Sequence, residues 1–223
     1  WFGGLPQVIL MDLDGTLVDS AADIALSLNR ALADLGLGAV TEAQVRDWVG
    51  RGAARLIEVA LQHVVPHHAQ DPQKHAVETR LLAAFMARYQ DSVCEASTVY
   101  PGVAEFVAAA REAGIRLACV TNKPYRPAVA LLEALNLLDA FELVIGGDTL
   151  AHKKPHPEPL LHCLRHFEVT AAQALMVGDS RNDVDAAKAA GVKSLALPYG
   201  YNHGEPIEAC EPDRLVASLA ELI

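Results

Sequence analysis

The stretch Val8-Ile9-Leu10-Met11-Asp12-Leu13-Asp14-Gly15-Thr16-Leu17-Val18-Asp19-Ser20 limits what this chain can become more than any other. Four apolar residues stop abruptly at two closely spaced carboxylates and a glycine, the pattern of a buried parallel strand whose end opens into a site. In open α/β sheets ligands bind outside the carboxyl ends of the strands. Gly15 permits the turn that gathers Asp12 and Asp14 about one small volume. Read without context, the same two acids would also serve as turn and cap residues before a helix.

Crowded carboxylates raise each other's pKa unless a cation or a shared proton compensates. Magnesium suits such a site, because it takes oxygen ligands, usually one or two of them carboxylates, and completes its octahedron with water and substrate phosphate.

Downstream, the chain changes grammar twice. From Ser20 to Ser92 nearly everything reads as helix. Ile24, Leu28, Leu32 and Leu35 recur at helical spacing up to a stop at Gly36, and Thr41 with Gln44 forms a capping box. A third helix ends before Pro66, residues 65–72 form a turn or loop, and Val77, Leu81, Phe85 and Tyr89 mark a long helix from Gln73 to about Ser92. After Tyr100-Pro101-Gly102 a helix runs through Ala113, and strands at 115–121, 142–146, 174–178 and 194–197 alternate with helices. This alternation predicts an α/β fold: a Rossmann-like parallel sheet with helices on both faces, interrupted after its first strand by a helical cap. The expected division is a core of 1–18 with 95–223 and a cap of 19–94.

Each later strand ends in polar residues. Thr121 and Asn122 follow the second, where a hydroxyl and an amide suit phosphate oxygens or, equally, cap the next helix. Lys153 and Lys154 precede Pro155-His156-Pro157, and chemistry alone leaves the choice between these ammonium groups open. The fourth strand ends in Gly178-Asp179-Ser180-Arg181-Asn182-Asp183. Asp179, at the strand end, is the better metal ligand with Asp12 and Asp14. Asp183, at the helix start, is expected to orient Lys154 or a metal-bound water, although an acid at a helix N-terminus is also favourable by itself. The amides of Leu13 and Asp14 are expected to help bind the phosphoryl oxygens. Within the helical block, Gly50-Arg51-Gly52 reads as a compact turn able to push one arginine toward the core, against the alternative of a solvated side chain.

Asp-Leu-Asp-Gly-Thr-Leu-Val-Asp-Ser, Thr-Asn-Lys-Pro, Lys-Lys-Pro-His-Pro and Gly-Asp-Ser-Arg-Asn-Asp together resemble the four motifs of the haloacid dehalogenase superfamily, in its phosphatase branch. Met11 stands where that family usually has Phe. The resemblance implies that Asp12 is the nucleophile and Asp14 the general acid and base. It further implies that Thr121 binds the phosphoryl group with help from Asn122, and that Lys154, rather than Lys153, neutralises Asp12 and the phosphate. Lys153 is then a solvated charge. The insertion point of the cap and Tyr-Gly-Tyr-Asn-His-Gly-Glu at 199–205 are similar to the phosphoglycolate phosphatases of that family, which implies 2-phosphoglycolate as substrate and, through Arg51, a partner for its carboxylate. A sugar phosphate, a phosphosugar acid, a phosphohexose mutase reaction and a noncatalytic phosphometabolite sensor are the alternatives.

Composition supplies exclusions. A net charge of −10 with no basic stretch argues against nucleic acid or an anionic membrane as partner, leaving a small phosphorylated metabolite. No apolar run approaches the roughly 18 residues of a membrane span, so a cytoplasmic monomer or homodimer is expected. The chain opens on Trp1 rather than Met, so Trp1–Gly4 carry little weight. Cys94, Cys119, Cys163 and Cys210 show no paired spacing and read as reduced. His67, His68, His162 and His166 lack the companions of a zinc site.

Overall fold

Val8–Met11 forms strand β1, and its four side chains are all buried. They alternate between two apolar layers. Ile9 and Met11 pack with Phe106, Val107 and Leu131, whereas Val8 and Leu10 pack with Leu160, Leu164 and Ala187. A strand covered on both faces needs no polar alternation, which is why its sequence is a continuous apolar run. The structure, a computed structural model, describes residues 4–223; Trp1–Gly3 lie outside the described residues.

The chain leaves β1 through a two-residue strand, β2 (Val18–Asp19), and enters helices α1 (Ala21–Asp34), α2 (Glu42–Trp48), α3 (Ala53–Val64) and α4 (Lys74–Asp91). It returns through β3 (Thr98–Val99), which pairs antiparallel with β2. Then follow α5 (Val103–Glu112), β4 (Arg116–Val120), α6 (Tyr125–Ala134), β5 (Leu143–Ile145), α7 (Glu158–Phe167), β6 (Ala174–Gly178), α8 (Arg181–Ala190), β7 (Lys193–Ala196) and β8 (Arg214–Leu215).

The main sheet is parallel throughout, in the order β5-β4-β1-β6-β7-β8. Strand order reverses beside β1, the position at which such sheets leave a crevice. The register makes the crevice a single site: Met11 is level with Cys119 on one side and Val177 on the other, so three strands end together.

Helices α1 to α4 bury Ile24, Leu28, Leu32, Leu56, Leu61, Leu81 and Phe85 against one another in a separate apolar cluster. Tyr201 joins that cluster from the segment after β7. The Thr41 capping box is present, and Gly36 has φ +69 just past α1. Two features differ from the sequence expectation. Strands β2, β3 and β8 went unread, because two residues carry no hydrophobic period. Residues 65–72 contain one turn of 3₁₀ helix at His68–Gln70. Cys94, Cys119, Cys163 and Cys210 are free thiols, and no described helix is long and apolar enough to cross a membrane.

Candidate active site

The site begins where β1 runs out of apolar residues. The Asp12 amide still donates to the Val177 carbonyl at 3.0 Å, which continues the sheet by one residue. Beyond it the chain folds back tightly: the Leu17 and Val18 amides both donate to the Leu13 carbonyl at 3.0 Å. Gly15 lies at φ +89, and a Cβ there would run into the Asp179 carboxylate. Glycine is thus required twice, by backbone conformation and by space. The turn sends Asp14 to one side of the crevice and Asp12 to the other.

Asp12 accepts from the Leu13 amide at 2.8 Å and lies 3.0 Å from Lys154 Nζ. Lys154 Nζ also donates to Asp183 at 2.6 Å, and its side chain is 1% exposed. Asp179 accepts from Thr16 Oγ1 at 2.6 Å and from the Tyr201 amide at 2.5 Å. Asp183 sits in the first turn of α8, where its second oxygen takes the amide and hydroxyl of Ser180 in a capping box. Asp12, Asp179 and Asp183 present oxygens within 4.8 Å of one another, all buried.

Three buried carboxylates therefore cluster beside one ammonium, which touches Asp12 and Asp183 but not Asp179. Burial pushes the Asp12 carboxyl up to about 7 despite Lys154, with Asp183 adding to the rise. Burial, then the charges of Asp183 and Asp12, raise Asp179 well above the usual carboxylate range. The Lys154 pKa is raised as well: burial disfavours its charge, but Asp12 and Asp183 outweigh burial and hold it protonated. The cluster is short of positive charge, and its donors are all hard oxygens. Such a cluster fits a divalent cation.

Asp14 belongs to a second group. Its carboxylate accepts from Ser20 Oγ at 2.5 Å and from Lys123 Nζ at 2.8 and 3.0 Å, and Lys123 Nζ lies 4.6 Å from the centre of the Tyr89 ring. Between these groups and the helical block lies a small cavity, in which about 50 Å³ is open to the centres of water-sized molecules. Its floor is Asp12, Asp14, Thr121 and Asn122; Ile24, Leu56, Phe85 and Tyr89 form much of the facing wall.

Residues 9–197 match the haloacid dehalogenase-like hydrolase family. The chain belongs to that family. A phosphoglycolate phosphatase of Nitrosococcus oceani is 44% identical over 97% of this chain and 95% of its own length. Among solved structures, a predicted phosphoglycolate phosphatase of Haemophilus somnus superposes with a TM-score of 0.89 at 34% identity, covering 99% of this chain and 97% of the other. The CbbY protein of Rhodobacter sphaeroides, solved in complex with phosphate, gives 0.81 at 30% identity, over 98% and 96%.

In this haloacid dehalogenase-like hydrolase the geometry sorts the residues singled out from sequence. Asp12, Lys154, Asp179 and Asp183 come together, whereas the Asp14 carboxylate, expected with them as a metal ligand, is turned to Lys123 and Ser20. Leu13 directs its amide at the Asp12 carboxylate. Thr121 is buried on the cavity floor and accepts from the Lys123 amide at 3.2 Å. Asn122 spends both amide hydrogens on backbone, the Gly50 carbonyl at 2.8 Å and the Lys154 carbonyl at 2.9 Å. It ties the lysine loop to the helical block rather than offering a free donor to phosphate.

Arg51 is exposed and absent from the cavity lining; its carbonyl, not its guanidinium, faces the core and accepts from Lys153 Nζ at 2.8 Å. Lys153 is consequently half-buried instead of solvated, and burial lowers its pKa. Sequence reasoning passed over Lys123. One weak signal was available: a cation just before helix α6 opposes the helix dipole, a cost that an acidic partner offsets.

Proposed function

We propose that the chain is a magnesium-dependent phosphatase that hydrolyses 2-phosphoglycolate to glycolate and phosphate through an aspartyl-phosphate on Asp12. The observation that carries this reading is the meeting of Asp12, Lys154, Asp179 and Asp183 at the carboxyl edge of the sheet, beside a small cavity lined by Asp12 and Asp14. The helical block, residues 19–94, is proposed as the cap that shields the reaction from water, with 1–18 and 95–223 as the catalytic core.

Asp12 attacks phosphorus in line while the bond to the leaving oxygen breaks, and Asp14 gives that oxygen its proton. Asp14 then takes a proton from water, whose oxygen attacks phosphorus and releases Asp12. Lys154 neutralises Asp12 and the transferring group, Thr121 and the Leu13 and Asp14 amides receive the phosphoryl oxygens, and Asp183 holds Lys154 in place. Asp12 and Asp179, with Asp183 beside them, would hold magnesium, whose charge would let a carboxylate approach a phosphate dianion. Partnership with a small anion rather than nucleic acid accords with the net charge of −10.

Ranking phosphate monoesters by kcat/KM tests the assignment. The expected result is 2-phosphoglycolate ahead of sugar phosphates and phosphosugar acids by at least ~10-fold, the discrimination that one charged contact supplies, and no turnover after chelation. Faster hydrolysis of a sugar phosphate, or transfer of phosphate to a sugar instead of water, would overturn it.

Metal and protons should compete for the same carboxylates. Asp12 titrates near 7 in the metal-free fold and near the usual 3.8 when unfolded, so between those values the folded state binds the extra proton. Metal-free stability should therefore fall as pH rises from about 4 to 7 and then level off. In thermal melts with chelator, the wild type should lose this increment while Asp12→Asn does not. Magnesium should raise the wild-type midpoint more at pH 8 than at pH 5. Equal magnesium shifts at both pH values would mean that these carboxylates do not bind the ion.

A further inference from the structure

We infer that Lys123, not Arg51, is the group that recognises the substrate's carboxylate, with the Tyr89 hydroxyl as its companion donor. This rests on the reading of the site as a phosphatase for a carboxylated phosphate monoester. In 2-phosphoglycolate only an ester oxygen and a methylene separate phosphorus from the carboxylate. With phosphorus at Asp12, the carboxylate must lie in the same small cavity, where its surroundings are restricted.

Among the described residues lining that cavity, the charged ones are Asp12, Asp14 and Lys123. The two acids repel a carboxylate. Lys154 is committed to Asp12 and Asp183 outside the lining, and Arg51 points to solvent. Lys123 is left as the cation within reach, its side chain 4% exposed.

An ammonium has three hydrogens, and its pairing with the single Asp14 carboxylate leaves capacity for a second acceptor. Tyr89 supplies an independent observation. It comes from α4, is 2% exposed, lines the cavity with its ring against Lys123, and its buried hydroxyl has no hydrogen-bond partner. A desolvated O–H without an acceptor is costly, and a ligand carboxylate placed on Lys123 would relieve that cost. The rest of the wall, including Ile24, Leu56 and Phe85, is apolar and indifferent to ligand charge. Selection for an anion therefore falls on Lys123 and Tyr89, one from each side of the cavity.

The test separates recognition from chemistry by using two phosphonates that cannot be hydrolysed, 3-phosphonopropionate and propylphosphonate, titrated by calorimetry with magnesium present. Wild type should bind the carboxylated ligand more tightly by roughly 10- to 100-fold, the range of one or two hydrogen bonds to a charged group. Lys123→Met, which keeps the stem and removes the charge, should bring the two within about threefold. Tyr89→Phe should remove part of the preference, Lys123→Arg should restore much of it, and Arg51→Ala should keep it.

In turnover, Lys123→Met should reduce the kcat/KM ratio of 2-phosphoglycolate to 2-hydroxyethyl phosphate by the same factor, beyond any loss common to both through Asp14. A fall that is equal for both esters, a wild type without preference between the phosphonates, or a collapse of the preference in Arg51→Ala would each overturn the inference. Failure of the wild type to turn over either ester would refute the phosphatase reading instead, while the phosphonate titrations would still decide the role of Lys123.

Discussion

Asp12→Asn is expected to lower turnover of 2-phosphoglycolate by at least about 10⁴-fold, as removal of a covalent nucleophile does elsewhere. The fold should survive. An asparagine of the same shape can still accept from the Leu13 amide, and Lys154 keeps Asp183 as a partner. The variant also removes a buried carboxylate from a cluster already short of positive charge, so the metal-free protein should melt no lower than wild type at pH 8. Two measurements decide the matter: steady-state kinetics at saturating magnesium, and acid quench of a reaction with phosphorus-labelled substrate. Wild type should carry label on protein and the variant none. Turnover within tenfold of wild type would remove Asp12 from the chemistry.

Lys154→Met is expected to damage stability as well as rate, which distinguishes it from Asp12→Asn. The ammonium is buried between Asp12 and Asp183, and no other cation touches either carboxylate among the described residues. Removing one partner from a buried ion cluster leaves uncompensated charge at a cost of about 3–5 kcal/mol. The methionine stem fills the channel, so the loss is electrostatic and should shrink when the acids are protonated. The melting midpoint should fall steeply at pH 8 and less at pH 5, and magnesium should recover part of the deficit. Activity should stay low even when magnesium restores the fold, because the phosphoryl group loses its neutralising cation. A variant as stable as wild type at pH 8 would show that the cluster draws its compensation from elsewhere.

Lys153 and Lys154 illustrate what sequence could and could not supply. Both precede the same prolines, and their chemistry is identical. Only the backbone of the loop decides that one enters the carboxylate cluster and the other reaches across to the Arg51 carbonyl. Arg51 shows the same limit. The two glycines do make the compact turn expected from sequence, at φ +109 and +85. That turn aims the Gly50 and Arg51 carbonyls at Asn122, Asn182 and Lys153, and leaves the guanidinium outside.

What the sequence alone determined is local. Apolar runs that stop at acids, and the change from period 3.6 to buried strands, are written within a few residues. From them followed the order of strands and helices, the placement of Asp12, Thr121 and Asp179 at strand ends, and the helical block between β1 and the rest of the sheet. What only tertiary structure decided is non-local. Lys123 meets Asp14 across 109 residues, and Tyr201 donates its amide to Asp179 across 22 while its ring packs with the helical block. Strands β2 and β3 pair across about eighty residues with two residues each. Contacts of this kind depend on which direction a side chain leaves a loop, and a loop carries no periodicity from which that direction can be read.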